Sequence, residues 1–124
     1  QTTFTFKFCP HSAVGQFWCH QQGQVEIDGL LVGRRPQEGE VLFIIEAKSD
    51  QGRSELAKHK LVYPTLGLLP STSAYMKVVP VYMRVRRERD ALVFYIAECS
   101  LPTAETTSID ELEVVRTSAW AMQW

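Results

Sequence analysis

Residues 2–8, T-T-F-T-F-K-F, alternate polar and aromatic positions. That is the period-two signature of a half-buried strand, with Phe4, Phe6 and Phe8 on one face. Pro10 and Gly15 end it, and the polar stretch 11–23, with the aromatic pair Phe17 and Trp18, reads as a loop or a short helix. A second strand is predicted over 24–32 and a polar turn over 33–39. A third strand is predicted over 41–47, where the run V-L-F-I-I is apolar on both faces, as in a central strand covered on both sides. Ser49-Asp50-Gln51-Gly52 closes it. A helix is expected from Arg53 or Ser54 to Tyr63, with Leu56, Ala57, Lys60 and Leu61 as its inward stripe and Pro64 as its stop. A loop over 65–73 leads to a fourth strand over 77–86, in which Pro80 marks an edge position or the strand's beginning. Arg87-Glu88-Arg89-Asp90 is a charged turn before a fifth strand over 91–97. In the tail, Ser108 with Glu111 fits a capping box ahead of an amphipathic run. Leu112-Glu113-Val114-Val115 also has strand character, but a short helix is the favoured reading. The order β, β, β, α, β, β and tail places the chain in the α/β class (α+β mixed), as a central mixed β-sheet of about five strands flanked by helices.

Composition narrows the class without naming a function. The 124 residues suit one domain, and 45% apolar with 22% charged residues is an ordinary globular balance. The formal net charge of −1 excludes a global polycation, so any nucleic-acid contact must come from a local patch. No apolar run approaches the length of a membrane span, so no membrane partner is expected. Three cysteines, Cys9, Cys19 and Cys99, have no disulfide-framework spacing, which favours a reducing, cytoplasmic setting. The chain opens on Gln1 rather than Met, and residues 1–124 are read as a single domain of a larger protein.

The candidate chemistry lies between Val25 and Lys48. Residues i and i+2 of a strand share a face. Glu26 and Asp28 would therefore share a face of the second strand, and Glu46 and Lys48 a face of the third. Neighbouring strands would bring three carboxylates and one ammonium to one sheet edge. Burying such groups is costly unless they have partners or a ligand, which points to a divalent-metal site. Asp28, Glu46 and Lys48 are the residue types that metal-assisted phosphodiester hydrolysis needs: hard oxygen ligands for Mg²⁺ and a cation for the charged transition state.

E-I-D-G, then I-I-E-A-K, then a helix carrying K-H-K-L-V-Y-P, resembles the PD-(D/E)XK nuclease superfamily. The resemblance covers roughly residues 24–64. It implies a restriction-endonuclease-like fold and a Mg²⁺-dependent DNA endonuclease, with Mn²⁺ able to substitute. In that pattern Asp28 and Glu46 ligate the metal, helped by the carbonyl of Ala47, and Lys48 orients or activates the water. The chain departs from the pattern in two places. Many relatives carry a Gln facing the site in a Q-L-x-Y-P context, where this chain has Lys60. The N-terminal helix that often supplies another Glu is not visible, and Glu26 is the carboxylate available in its stead. These departures motivate an alternative: a catalytically inactive nuclease-fold module for nucleic-acid binding or assembly. A double-strand cutter of this size implies a homodimer, and partners in other domains of a longer chain are also expected.

Other residues carry weaker signals. Arg34, Arg35, Arg84 and Arg86 are candidate phosphate contacts, weighed against a solvated turn balanced by Glu88 and Asp90. Cys9-Pro10-His11 and Cys19-His20 have zinc-ligand types but no recognised spacing, so the plain reading is partly buried thiols and loop histidines. His59 is read as solvent-facing. Trp18, Trp120 and Trp124 are read as core or contact residues rather than base-stacking platforms, and Trp120 and Trp124 are the hint of a third possibility, a protein-interaction domain.

Overall fold

The computed structural model describes residues 3–8, 13, 18–49, 57–69, 76–101 and 108–123. Two strands, β1 (Thr3–Phe8) and β2 (Trp18–Gln24), pair antiparallel as a separate ribbon. The main sheet has five strands in the order β3 (Gly29–Arg35), β4 (Gly39–Ser49), β5 (Lys77–Glu88), β6 (Ala91–Ser100) and β7 (Glu113–Gln123). It is mixed: β4 and β5 run parallel, and every other pair is antiparallel. The parallel pair needs a crossover, and α1 (His59–Leu68) lies within it. The mixed five-stranded sheet with a packed helix is therefore as expected, although α1 is the one α-helix among the described residues.

The boundaries differ from the sequence pattern in instructive ways. The stretch read as a loop or short helix contains β2, because pairing with β1 from Phe8↔Trp18 to Thr3↔Gln24 supplies hydrogen bonds that its Gln-rich composition does not advertise. The second predicted strand begins only at Gly29, so Glu26 and Asp28 precede β3 and do not share a strand face. The helix does not stop at Pro64: it contains it. Pro64 removes one helix hydrogen bond, at a cost of about 3 kcal/mol in a helix interior. The burial of Leu61, Val62, Thr65 and Leu66 offsets this, at roughly 1.5–3 kcal/mol for a large apolar side chain. Thr65 Oγ1 also donates to the Leu61 carbonyl at 2.8 Å. Of the expected inward stripe, Leu61 is buried, Lys60 is exposed and Ala57 precedes the helix. Leu56 and the expected start at Arg53 or Ser54 lie outside the described residues.

Pro80 sits in a central strand, not at an edge. It is tolerated because the β5–β6 ladder begins one residue later, at Val81↔Glu98. In the tail, the Ser108 N–H donates to Glu111 Oε2 at 3.3 Å, one arm of the capping box. The turn it caps is a single 3₁₀ turn, Ile109–Glu111, and the expected helix is instead the edge strand β7. Val114, Val115 and Thr117 are β-branched, and Val114 and Thr117 pair with Cys99 and Ala97 of β6, which favours extended backbone over helix.

Register assigns the two faces of the sheet. Ile44, Glu46 and Lys48 share one face with their β5 neighbours Pro80, Tyr82 and Arg84. Helix α1 covers part of this face, where Leu61, Val62 and Leu66 pack with Phe8, Cys99 and Leu112. Val41, Val79 and Val81 form a second cluster on the opposite face, with Phe43, Ile45 and Ile96. No described helix is long and apolar enough to cross a membrane.

The β3–β4 hairpin fixes which residues meet. Pro36 presets the turn, which the Glu38 N–H closes onto the Arg35 carbonyl at 3.2 Å. Gly39 follows at φ +71°, the left-handed conformation that an L side chain disfavours. A Cβ there would meet nothing within 4 Å, so Gly39→Ala tests backbone preference alone. It should cost about 1 kcal/mol and lower the urea midpoint by roughly half a molar. An unchanged midpoint would mean that the turn is set by other contacts.

Candidate active site

Pairing of β3 with β4 ends at Gly29↔Ile45, but β4 continues to Ser49. The Ala47 N–H thus lies past the end of the ladder, and the Asp28 carboxylate takes the vacated role by accepting it through Oδ2 at 2.9 Å. This bond fixes Asp28 against the strand that carries Glu46. Glu46 is buried, at 7% exposure, on the helix-covered face. Its carboxyl lies within hydrogen-bonding reach of Asp28. Burial pushes the Glu46 pKa up, the charge of Asp28 and their shared hydrogen bond push it further, and Lys60 and then Lys48 pull it partly back.

The expected set therefore assembles in large part. Asp28, Glu46, Lys48 and Lys60 interact at one end of the helix-covered face. A small cleft of about 120 Å³ opens there, lined by Glu26, Glu46, His59, Lys60 and Tyr63 among others. Glu26 is exposed at its rim. His59 is exposed, as expected, yet borders this cleft, with its ring 5.6 Å from that of Tyr63. Tyr63 carries no role in the sequence reading. The signal for it was its spacing from His59 (i, i+4) and Lys60 (i, i+3), which puts all three on neighbouring helix positions. Burial raises the Tyr63 pKa, keeping the phenol protonated and a donor.

The arginines divide. Arg84 lies directly beside Lys48 across the β4–β5 pairing, and Arg86 follows it on the same face. Arg34 and Arg35 lie at the far end of β3, roughly 20 Å from Asp28 at strand rise. Arg34 is exposed, with Glu40 at 3.7 Å. Arg35 belongs to the opposite face, with its guanidinium 5.0 Å over the Phe43 ring and 2.7 Å from Glu98. The Glu98 hydrogen bond, with the charges of Glu98 and Glu38, raises its pKa, and the guanidinium sits in an ion network with Glu38, Lys77 and Arg116. A cavity of about 540 Å³ borders this network. Each of its charged side chains already has an ion-pair partner, so it is a weaker site candidate than the small cleft at Glu46.

The remaining candidates have less to offer. Cys19 is exposed rather than partly buried, and Cys99 is buried in the helix-side core with its pKa raised by burial. Cys9, His11 and Trp124 lie outside the described residues. Trp18 and Trp120 are exposed, so neither is a core residue, although Trp18 meets the Phe8 ring edge-on at 6.2 Å.

Among the described residues, no three His, Cys, Asp or Glu side chains gather as one metal-binding cluster. The carboxylate pair nevertheless suits Mg²⁺, which keeps several waters and takes only one or two protein carboxylates. A buried carboxyl held beside a second, exposed carboxylate is an arrangement that a divalent cation relieves.

Comparison with known proteins places the chain in one family. The model described as "Domain of unknown function (DUF6997)" matches residues 1–120, and the chain belongs to that family. No curated protein matches it, and no solved structure does.

Proposed function

We propose that this member of the DUF6997 family is a Mg²⁺-dependent DNA endonuclease domain with a restriction-endonuclease-like site. The observation that carries the reading is the Asp28–Glu46 pair, pinned by the Ala47 N–H and flanked by Lys48 and Lys60. Asp28 and Glu46 would hold the metal, assisted by the Ala47 carbonyl and with Glu26 nearby. When bound, Mg²⁺ neutralises phosphate charge and lowers the pKa of a coordinated water. Lys48 follows Glu46 on the same face and orients the attacking water or stabilises charge on the phosphate. Lys60 approaches from α1 as a second cation. Hydrolysis adds the water oxygen to phosphorus and breaks one phosphodiester P–O bond.

Lys60 also favours a second reading. Its attraction for the Glu46 carboxylate opposes the raised pKa, as a cation in the metal's place would. A module of this fold could thus bind or assemble on nucleic acid without cutting it, with the ammonium standing in for the ion.

One assay separates the two. The purified protein is incubated with supercoiled plasmid, branched DNA and labelled oligonucleotides in Mg²⁺, in Mn²⁺ and in EDTA. The nuclease reading expects metal-dependent cleavage that falls about 100-fold or more in Lys48→Ala, the range for a positioned proton-transfer or charge-stabilising side chain. Binding without cleavage in either metal supports the inactive module. Cleavage that persists undiminished in Lys48→Ala removes that residue from the mechanism.

A further inference from the structure

We infer that the face beyond Glu46 is a single-strand nucleic-acid track, on which Arg84 and Arg86 take successive phosphates and Tyr95 stacks a base. The inference rests on the nuclease reading only for which end of the track meets the scissile phosphate; the binding itself does not depend on it.

Register builds the track. Lys48 stands beside Arg84, and Arg84 beside Tyr95, so one row across three strands reads ammonium, guanidinium, phenol. The row lies one step along from Glu46 and Tyr82, on the same face. Arg86 follows Arg84 two residues on, about 6.7 Å at strand rise, a separation of the order of one nucleotide step. A cavity of about 390 Å³ opens here, lined by Tyr82, Arg84, Arg86, Tyr95, Thr117 and Ser118.

The side chains fit the task. Tyr95 is 41% exposed although it lies in an inner strand of the sheet. Its neighbour across β6–β7 is Ala119, too short to cover the ring. An exposed ring beside a guanidinium is the stacking platform that single-strand binders use, because every base has a π-face. The Tyr82 hydroxyl is buried and has no hydrogen-bond partner among the described residues. Such an orphaned group calls for an explanation, and a sugar or phosphate oxygen in the cavity supplies one. Glu88 approaches Arg86 at 3.9 Å, a loose contact between exposed groups that phosphate can displace. A duplex fits less well: its bases are already stacked on one another and cannot lie on Tyr95.

The test measures binding alone, by fluorescence anisotropy in EDTA at several salt concentrations. The probes are a labelled 20-residue thymidine oligonucleotide, its uridine counterpart and a 20-base-pair duplex. The expected result is single-strand binding at least 10-fold tighter than duplex binding. Tyr95→Ala should weaken it about 10-fold, Tyr95→Phe should leave it intact, and Arg86→Ala should reduce the salt slope by about 0.7. Tighter uridine than thymidine binding would support the track and assign it to RNA. Duplex binding as tight as single-strand binding overturns the inference, as does an unchanged affinity in a folded Tyr95→Ala protein or no binding at low salt. Single-strand binding without cleavage in Mg²⁺ leaves the track standing and removes the nuclease reading; cleavage with no single-strand preference does the reverse.

Discussion

Glu46→Gln should abolish metal-dependent cleavage and, in the same protein, raise thermal stability. The first effect follows from ligand chemistry: a neutral amide is a poor substitute for a carboxylate on a hard dication. A loss of at least about 1,000-fold is expected, more than 4 kcal/mol of transition-state stabilisation. The second follows from the metal-free site, where burial and the neighbouring Asp28 charge both disfavour ionised Glu46. A group whose folded pKa is raised binds its proton more tightly when folded. Its penalty is absent below the ordinary carboxylate value of 4.5 and grows as pH rises from there through the raised value. Gln carries no such penalty. In EDTA at pH 7 the variant should be stabler by about 1 kcal/mol, a Tm gain of roughly 3–5 °C. The two melting curves should converge towards pH 4. Taking the difference matters, because Glu38 works the other way: Lys77 lowers its pKa, so its stabilising contribution is lost as pH falls. Mg²⁺ should stabilise the unmutated protein and leave Glu46→Gln unmoved. Retained cleavage would sink the ligand assignment; lost cleavage with lowered stability at pH 7 would mean that Glu46 is chiefly a structural partner of Asp28.

The burial of a charged side chain also explains why the Glu46 cluster is largely legible in the chain. Charged residues inside an apolar strand break the local pattern, and such breaks concentrate at functional sites. Glu46 and Lys48 stand out for that reason, and the run V-L-F-I-I before them marked a central strand with no tertiary information. Asp28 does neighbour Glu46, but not through the strand face that the i, i+2 pattern suggests. It meets β4 through a side-chain bond to the Ala47 N–H, not as a residue of a paired strand. Residues that register brings together were hidden. Tyr95 reaches the Lys48 row only because β6 pairs with β5 at Arg84↔Tyr95, and a one-residue slip would send it to the other face. Arg35 shows the converse: it looks like a free turn cation in the sequence, yet three-dimensional pairing with Glu98 commits it elsewhere. The strands β2 and β7 were missed because long-range pairing decides them, while local composition pointed to loop and helix.

Leu61→Ala should produce the largest loss of stability. Leu61 is fully buried at the centre of the helix-side core, against Phe8, Val62, Leu66, Cys99 and Leu112. Truncation removes transfer free energy and leaves a cavity, together about 3–4 kcal/mol, a large share of the 5–15 kcal/mol typical of a domain. The urea midpoint should fall by roughly 2 M at an ordinary slope. Leu31→Ala, at 56% exposure, should shift it by no more than about 0.5 kcal/mol in equivalent terms. Site geometry makes a further demand. Lys60 precedes Leu61, and α1 packs against β4 and β5, so a cavity under the helix loosens the ammonium that faces Glu46. At a temperature where Leu61→Ala remains folded, cleavage should fall about 10-fold, since small displacements of a catalytic group carry such penalties. Full cleavage by the folded variant would show that α1 only covers the core and that Lys60 needs no fixed position.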